Sequence, residues 1–222
     1  MVAMDQFTTS EGRAEFRFNV EREQVFDRMA PQWDSIAPQI PLENIRELIA
    51  IADVKGKTVL DVGAGTGILV AEGLAASPEQ WIACDLSSSM LKILEAKFKN
   101  AAVEQQLAVL HADVHDLPLK SASVDRVICH NVFPHFQLPK TALAELFRVL
   151  CPGGLLVINH FPGRELINRV HRSAPHAILR MDLLVPAEEA VEWLKEVGFA
   201  VTEVIDSQQL YRIMAVRPTG GD

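Results

Sequence analysis

Val59-Leu60-Asp61-Val62-Gly63-Ala64-Gly65-Thr66-Gly67-Ile68 is the stretch on which the reading of this 222-residue chain turns. An apolar run of strand type ends in an acid, three glycines follow on alternate positions, and an amphipathic stretch begins behind them. A strand-to-helix turn that needs positive φ accounts for one or two such glycines. Three of them behind an acid mark a loop whose backbone a ligand approaches closely.

Two kinds of ligand compete for such a loop. A dinucleotide-binding turn uses G-x-G-x-x-G, its third glycine letting the helix pack on the strand while the helix N-terminus faces a pyrophosphate. Here the spacing is G-x-G-x-G, and Ile68 stands where that third glycine belongs. Asp61 would also meet a pyrophosphate with like charge in a partly buried site, which is unfavourable. The acid suits a ligand that carries an ammonium and no phosphate, so NAD is disfavoured.

Outward from the loop, residues 57–157 alternate short apolar runs with helix-length amphipathic stretches, the pattern of strand-helix-strand units around a mostly parallel sheet. Strands are expected at Thr58–Val62, Trp81–Cys84, Leu107–Leu110, Asp125–Cys129 and Leu155–Asn159, with helices at Ile68–Ala76, Ser87–Asn100 and Leu138–Leu150. Pro152, Gly153 and Gly154 are expected to end the last helix and turn the chain into the fifth strand. A helix after Pro186 runs to Val197 and stops at Gly198; Phe199–Ile205 and Leu210–Val216 then alternate as a hairpin around Asp206, Ser207 and Gln208.

Residues 1–55 carry no strand pattern. Phe16, Phe18, Val25, Phe26, Met29 and Trp33 sit in polar helical surroundings, an amphipathic helix follows over Leu42–Val54, and Pro38 and Pro41 punctuate the interval. The expected fold is α/β, a doubly wound, seven-stranded, mostly parallel Rossmann-like sheet in one domain. Its parts are a helical N-terminal cap (1–55), a cofactor-binding half (56–160) and a substrate-side segment (161–222) ending in the β-hairpin.

Composition bounds the partners. Lys+Arg number 21 against 29 Asp+Glu, a formal net charge of −8, and such an acidic chain makes poor nucleic-acid glue because that binding draws on cations neutralising phosphates. Cys84, Cys129 and Cys151 are too few and too scattered for a disulfide framework or a zinc cluster, so reduced thiols and no metal are expected. The apolar runs are too short for a membrane span, and MVAMDQFTTSEG has neither a basic n-region nor an h-region. A cytoplasmic protein without membrane contact is therefore expected.

Leu60-Asp61-Val62-Gly63-Ala64-Gly65-Thr66-Gly67 resembles the first motif of the class I S-adenosylmethionine-dependent methyltransferases, and the resemblance continues in order over roughly residues 25–216. It implies that Asp61, Gly63, Ala64, Gly65, Thr66 and Gly67 form a cofactor loop. Asp85, closing Trp81-Ile82-Ala83-Cys84-Asp85, matches the acid that holds both ribose hydroxyls, with Leu86 and Met90 beside it. Asp113-Val114 matches the pair that cradles the adenine, the carboxylate accepting from the exocyclic amine. Phe147-Arg148-Val149-Leu150-Cys151-Pro152-Gly153-Gly154 matches the turn into strand five. Within the family, Phe26-Asp27-Arg28-Met29-Ala30-Pro31-Gln32-Trp33-Asp34 resembles the N-terminal helix of small-molecule enzymes of the ubiquinone/menaquinone type. The cofactor implied is S-adenosyl-L-methionine, and the reaction implied is in-line displacement of its methyl onto a small-molecule acceptor.

Methyl transfer asks a protein to align nucleophile and methyl and to exclude water. Ligands of open α/β sheets collect over the C-terminal strand ends. That places His130, Asn131, His135 and His160 near the methyl, and makes His130, His135 and His160 the catalytic candidates. A neutral imidazole can take a proton from an oxygen, nitrogen or thiol nucleophile near neutral pH, although hydrogen-bonded loop histidines are the bland alternative. His130 is counted with the cofactor contacts as well. Phe26, Trp33, Asn131, Arg169 and Arg172 are expected around the acceptor. All seven histidines lie beyond residue 110; a metal or metallo-cofactor site is a second use for them, although no pair has the i, i+4 spacing on a helix of a strong zinc motif, His111 and His115 lying at an expected strand end. His160–Leu184, with Arg164, Arg169, Arg172 and Arg180 against Glu165 and Asp182, is expected to form a substrate lid; a solvated helix face is the competing reading. Two alternatives stand beside the small-molecule enzyme: a methyltransferase for a protein or other macromolecule, and a methyltransferase-like binding subunit without turnover. The residues assign no oligomeric state.

Overall fold

Every strand expected from the apolar runs forms in the computed structural model, which describes residues 10–37, 39–99 and 106–220. Pro38 and the helix end at Asn100 lie outside the described residues, as do the side chains of Phe16 and Phe18. The helical cap is α1 (Ser10–Met29), a 3-10 turn (Ala30–Gln32), α2 (Trp33–Ile36) and α3 (Leu42–Ala52). The wound part runs β1 (Thr58–Val62), α4 (Val70–Ala75), β2 (Gln80–Asp85), α5 (Ser88–Lys97), β3 (Leu107–His111) and β4 (Val124–His130). After a 3-10 turn (Phe133–His135) come α6 (Pro139–Val149), β5 (Leu150–His160), α7 (Arg164–Arg172) and α8 (Ala177–Arg180). The chain closes with α9 (Ala187–Val197), β6 (Ala200–Asp206) and β7 (Tyr211–Val216).

The strands make one seven-stranded sheet in the order β3-β2-β1-β4-β5-β7-β6. Strands β1 to β5 are parallel, and β7 runs antiparallel between β5 and β6. The order reverses between β1 and β4, and the crevice at such a reversal is where open α/β sheets take ligands. Alternation along β1 sends Val59 into one apolar layer and Leu60 and Val62 into the other. The first layer is closed by Ile45 and Leu48 of α3, Val70 of α4 and Leu94 of α5; the second by Leu143 and Leu146 of α6 and Ala190 and Leu194 of α9. Trp81 is fully buried in the first layer, and it fits because residue 73 is glycine: a Cβ there would stand 2.4 Å from the indole.

One segment differs from expectation. The Cys151-Pro152-Gly153-Gly154 turn belongs to β5 itself, because Leu150 already pairs with Val124 before the register shifts and resumes at Arg126 and Leu155. Pro152 has no N–H to give a ladder, and a bulge is where a strand tolerates that loss. The stretch expected as a lid carries α7 and α8, with Ile167 and Asn168 of α7 turned inward. No helix among the described residues is long and apolar enough to cross a membrane.

Candidate functional site

The glycine loop leaves β1 with positive φ at Gly63, Gly65 and Gly67. Packing requires two of the three. A Cβ on Gly63 would stand 2.3 Å from a Val132 methyl, and one on Gly67 would stand 2.7 Å from the Phe98 ring. Gly65 is different: a Cβ there would meet only Trp33 Nε1, at 3.5 Å, so its backbone faces a cradle roofed by the cap. Ala64 N donates to the Cys84 carbonyl, and Thr66 donates to Asp34 at 2.5 Å.

Three acids ring this loop. Asp61 is 1% exposed and accepts from Trp81 Nε1 at 3.3 Å. Burial pushes its carboxyl up to about 7, with the neighbouring Asp85 charge adding to the rise and the Trp81 bond opposing it. Asp85, at the end of β2, accepts from Gly65 N and Ser87 N at 2.8 Å each. One bond per oxygen leaves further lone pairs open on each. The helix cap is Ser87, whose hydroxyl accepts from Met90 N, so Asp85 is free of that duty. Asp113, beyond β3, accepts from His115 N, from His115 Nδ1 and from Asn19. Burial alone would raise it, but these bonds outweigh burial and hold it low.

Leu86 is half-buried and its carbonyl accepts from His111 Nε2, Met90 is buried on the inner side of α5, and Val114 is buried beside Asp113. His130 ends β4 at 5% exposure, and burial lowers it to about 4. Asn159 Nδ2 donates to its Nδ1 at 3.3 Å, an amide orientation fixed by Arg212 donating to Asn159 Oδ1. This assigns the Nε2–H tautomer, and His130 Nε2 is buried without a partner among the described residues. Asn131, at φ 54, accepts from Phe161 N and so joins the β4 and β5 ends.

The cap lies across all of these strand ends. Asp27 accepts from the Ser87 hydroxyl at 2.6 Å and from Ser89 N at 3.0 Å, docking α1 on the start of α5. Asn19 reaches Asp113, Trp33 covers Gly65, and Asp34 meets Lys97 at 2.6 Å. Phe26 packs edge-on to Trp33 and to His135, with centroids 5.9 and 5.1 Å apart.

The histidines separate. His135 stands in this aromatic row with Nδ1 2.6 Å from Asp182 Oδ2. His160 is 1% exposed, packs on Tyr211, and has both ring nitrogens enclosed without partners among the described residues; burial holds it neutral and away from solvent. Arg169 and Arg172 are on the solvent side of α7, lining an open groove with Arg164 and Ser173, while His171 of the same helix turns inward. Helical rotation explains the split, since residues one apart on a helix diverge by about 100°. Among the described residues no group of three or more His, Cys, Asp or Glu is arranged to hold a metal ion. In the sequence Asn19, Arg22 and Lys97 carry no local motif, Asp34 stands only as the end of the N-terminal-helix resemblance, and Asp182 counts only as charge.

Comparison with known proteins gives the same class. Residues 60–158 match the family described as a methyltransferase domain. The ubiquinone biosynthesis O-methyltransferase of Xanthomonas oryzae is 30% identical over 189 residues, 78% of this chain and 77% of that protein. The demethylmenaquinone methyltransferase of Clavibacter sepedonicus is 33% identical over 152 residues, 65% of this chain and 60% of that protein. The crystal structure of the cyclase SpnF shares the fold, with a TM-score of 0.73 at 18% identity over 91% of this chain and 97% of that one. The chain spans about half to three fifths of the length of several curated relatives it matches. Fold and matched segment define a methyltransferase domain. The chain belongs to the class I S-adenosylmethionine-dependent methyltransferases.

Proposed function

We propose that this protein transfers a methyl group from S-adenosylmethionine to a small-molecule acceptor by in-line displacement. The observation that carries the reading is the convergence of Gly65, Asp85 and Asp113 under one roof formed by α1 and Trp33. The residues fit the cofactor on three counts: the open cradle at Gly65, the unspent lone pairs of Asp85, and the unpartnered His130 Nε2. Asp85 would accept from the ribose hydroxyls, Asp113 and Val114 would hold the adenine, and Asp61 would answer the ammonium. Leu86 and Met90 would flank the nucleoside. Bound there, the cofactor supplies an electrophilic methyl on a sulfonium. Phe26, Trp33 and Asn131 would shape the acceptor side and keep water out. The relatives named as a ubiquinone biosynthesis O-methyltransferase and a demethylmenaquinone methyltransferase support a small-molecule acceptor.

Titration calorimetry tests the reading. S-adenosylhomocysteine should bind the wild-type chain saturably, and NAD at the same concentration should not compete. Saturable NAD binding without S-adenosylhomocysteine binding would sink it.

A further inference from the structure

Asp182 lies between α8 and α9 and is 2% exposed. Its Oδ2 accepts from Nδ1 of His135 at 2.6 Å, and its backbone carbonyl accepts from Nδ1 of His171. Arg22 grips the carboxylate from the cap, through Nη2 at 2.6 Å and Nε at 3.2 Å. Gln137, with its amide turned so that the oxygen accepts, takes Arg22 Nη1 and Nη2 at 2.9 and 2.6 Å. One residue therefore anchors two imidazoles from different elements, their centroids 5.0 Å apart. In each ring Nδ1–H is committed to Asp182, which leaves the lone pair on Nε2. Neither Nε2 is hydrogen-bonded among the described residues, and neither is a buried orphan.

This arrangement continues the roof of the cofactor loop, since Trp33, Phe26, His135 and His171 follow one another in contact or near-contact. We infer that Asp182 is a positioning residue that fixes His135 as the general base, with His171 beside it, and that the acceptor is a phenol or enol whose hydroxyl gives its proton to His135. The inference rests on the methyl-transfer reading above. A carboxylate acceptor would already be ionised at neutral pH and would need a cation, yet Arg22 spends its donors on Asp182 and Gln137. A neutral hydroxyl needs a base instead. Its O–H bond breaks, the electron pair stays on oxygen as the nucleophile, and the proton passes to His135 Nε2. The imidazolium so formed faces a carboxylate that stays ionised: burial works against that charge, but His135 and Arg22 more than offset it. The charged or titratable groups facing His135 are Asp182 and Arg22, His171 and His160, and Asp85.

The test uses the full chain, saturated with S-adenosylhomocysteine and labelled with nitrogen-15 at histidine. The wild type should show His135 as the Nδ1–H tautomer with a downfield proton. Asp182→Asn should populate the Nε2–H tautomer, and Asp182→Glu should restore the wild-type signal. With 4-nitrophenol as the acceptor probe, binding to the wild-type complex should lower the phenol pKa by about one unit. His135→Asn should abolish that lowering while S-adenosylhomocysteine affinity stays within about twofold. Should Asp182→Asn fail to fold, His135→Asn leaves the Arg22 pair in place and still decides the question. A probe that titrates alike free and on the wild type, or alike on wild type and His135→Asn, overturns the inference alone. Absence of S-adenosylhomocysteine binding to the wild type overturns the underlying reading instead.

Discussion

Arg22 in α1 and Asp182 ahead of α9 stand 160 residues apart in sequence and form an ion pair, Nη2 to Oδ1 at 2.6 Å, with each side chain 2% exposed. Such a pair contributes little net stability when compared with an apolar replacement of both partners, because both charges were taken out of water. Its value is geometric. It holds the cap against the segment behind β5, so the two elements that cover the strand ends are tied to each other as well as to the sheet.

Breaking that tie from one side should be costly. Arg22→Met leaves the Asp182 carboxylate buried without a cation, with the Nδ1–H of His135 as its remaining side-chain donor among the described residues, and an orphaned buried charge costs about 3 to 5 kcal/mol. The expected loss is at the low end, about 3 kcal/mol, since His135 still donates. Urea unfolding measures it, and a loss under about 1 kcal/mol would mean that the cap is not held this way.

Asp61 should make apo stability fall with pH. Its carboxyl titrates near 7 in the fold against 3.8 in a free chain, so the folded state binds the proton more tightly. That stability is fully present below about pH 4, is lost as pH rises towards 7, and is gone above it; the span is on the order of 4 kcal/mol. Asp61→Asn should therefore raise the apo melting temperature more at pH 8 than at pH 4. The same substitution should weaken S-adenosylhomocysteine binding, because it removes the charge facing the ammonium. Equal stabilisation at both pH values would place the Asp61 titration elsewhere.

Asp85→Ala should weaken cofactor binding by roughly one to two orders of magnitude, since charge-assisted bonds contribute about 1.5 to 3 kcal/mol each. The far-ultraviolet dichroism should stay unchanged, because Ser87 caps α5 independently. Calorimetry that finds wild-type affinity would confine Asp85 to holding Gly65 and Ser87.

Trp33 should report on the cofactor loop. Its indole nitrogen is the nearest atom above Gly65, whereas Trp81 is fully buried and Trp193 packs from α9 against the core. Saturation with S-adenosylhomocysteine should change the intrinsic fluorescence, and Trp33→Phe should remove that change. Persistence of the full change in Trp33→Phe would show that the cap does not roof the ligand.

How far each feature was legible depends on its range. The strand ends and the acid-glycine loop are local, because short apolar runs set the strands and alternation suffices to find them. Asp85 and Asp113 sit at or just beyond strand ends, and their roles come from the resemblance to the family's motifs rather than from spacing. The bulge at Pro152 carries the sequence of a turn because proline and glycine punctuate both, and only the pairing of Leu150 with Val124 tells them apart. Which histidine stays open beneath the cap was beyond local reading, since His135 and His160 both lie at or beyond strand ends and burial separates them. Asp182 looked like one charge among several in a basic stretch. Its identity as the anchor of His135, His171 and Arg22 exists only once α1, the β4 turn and α7 have packed together, because a carboxylate acquires such a role from partners that the chain brings in from 11 to 160 residues away.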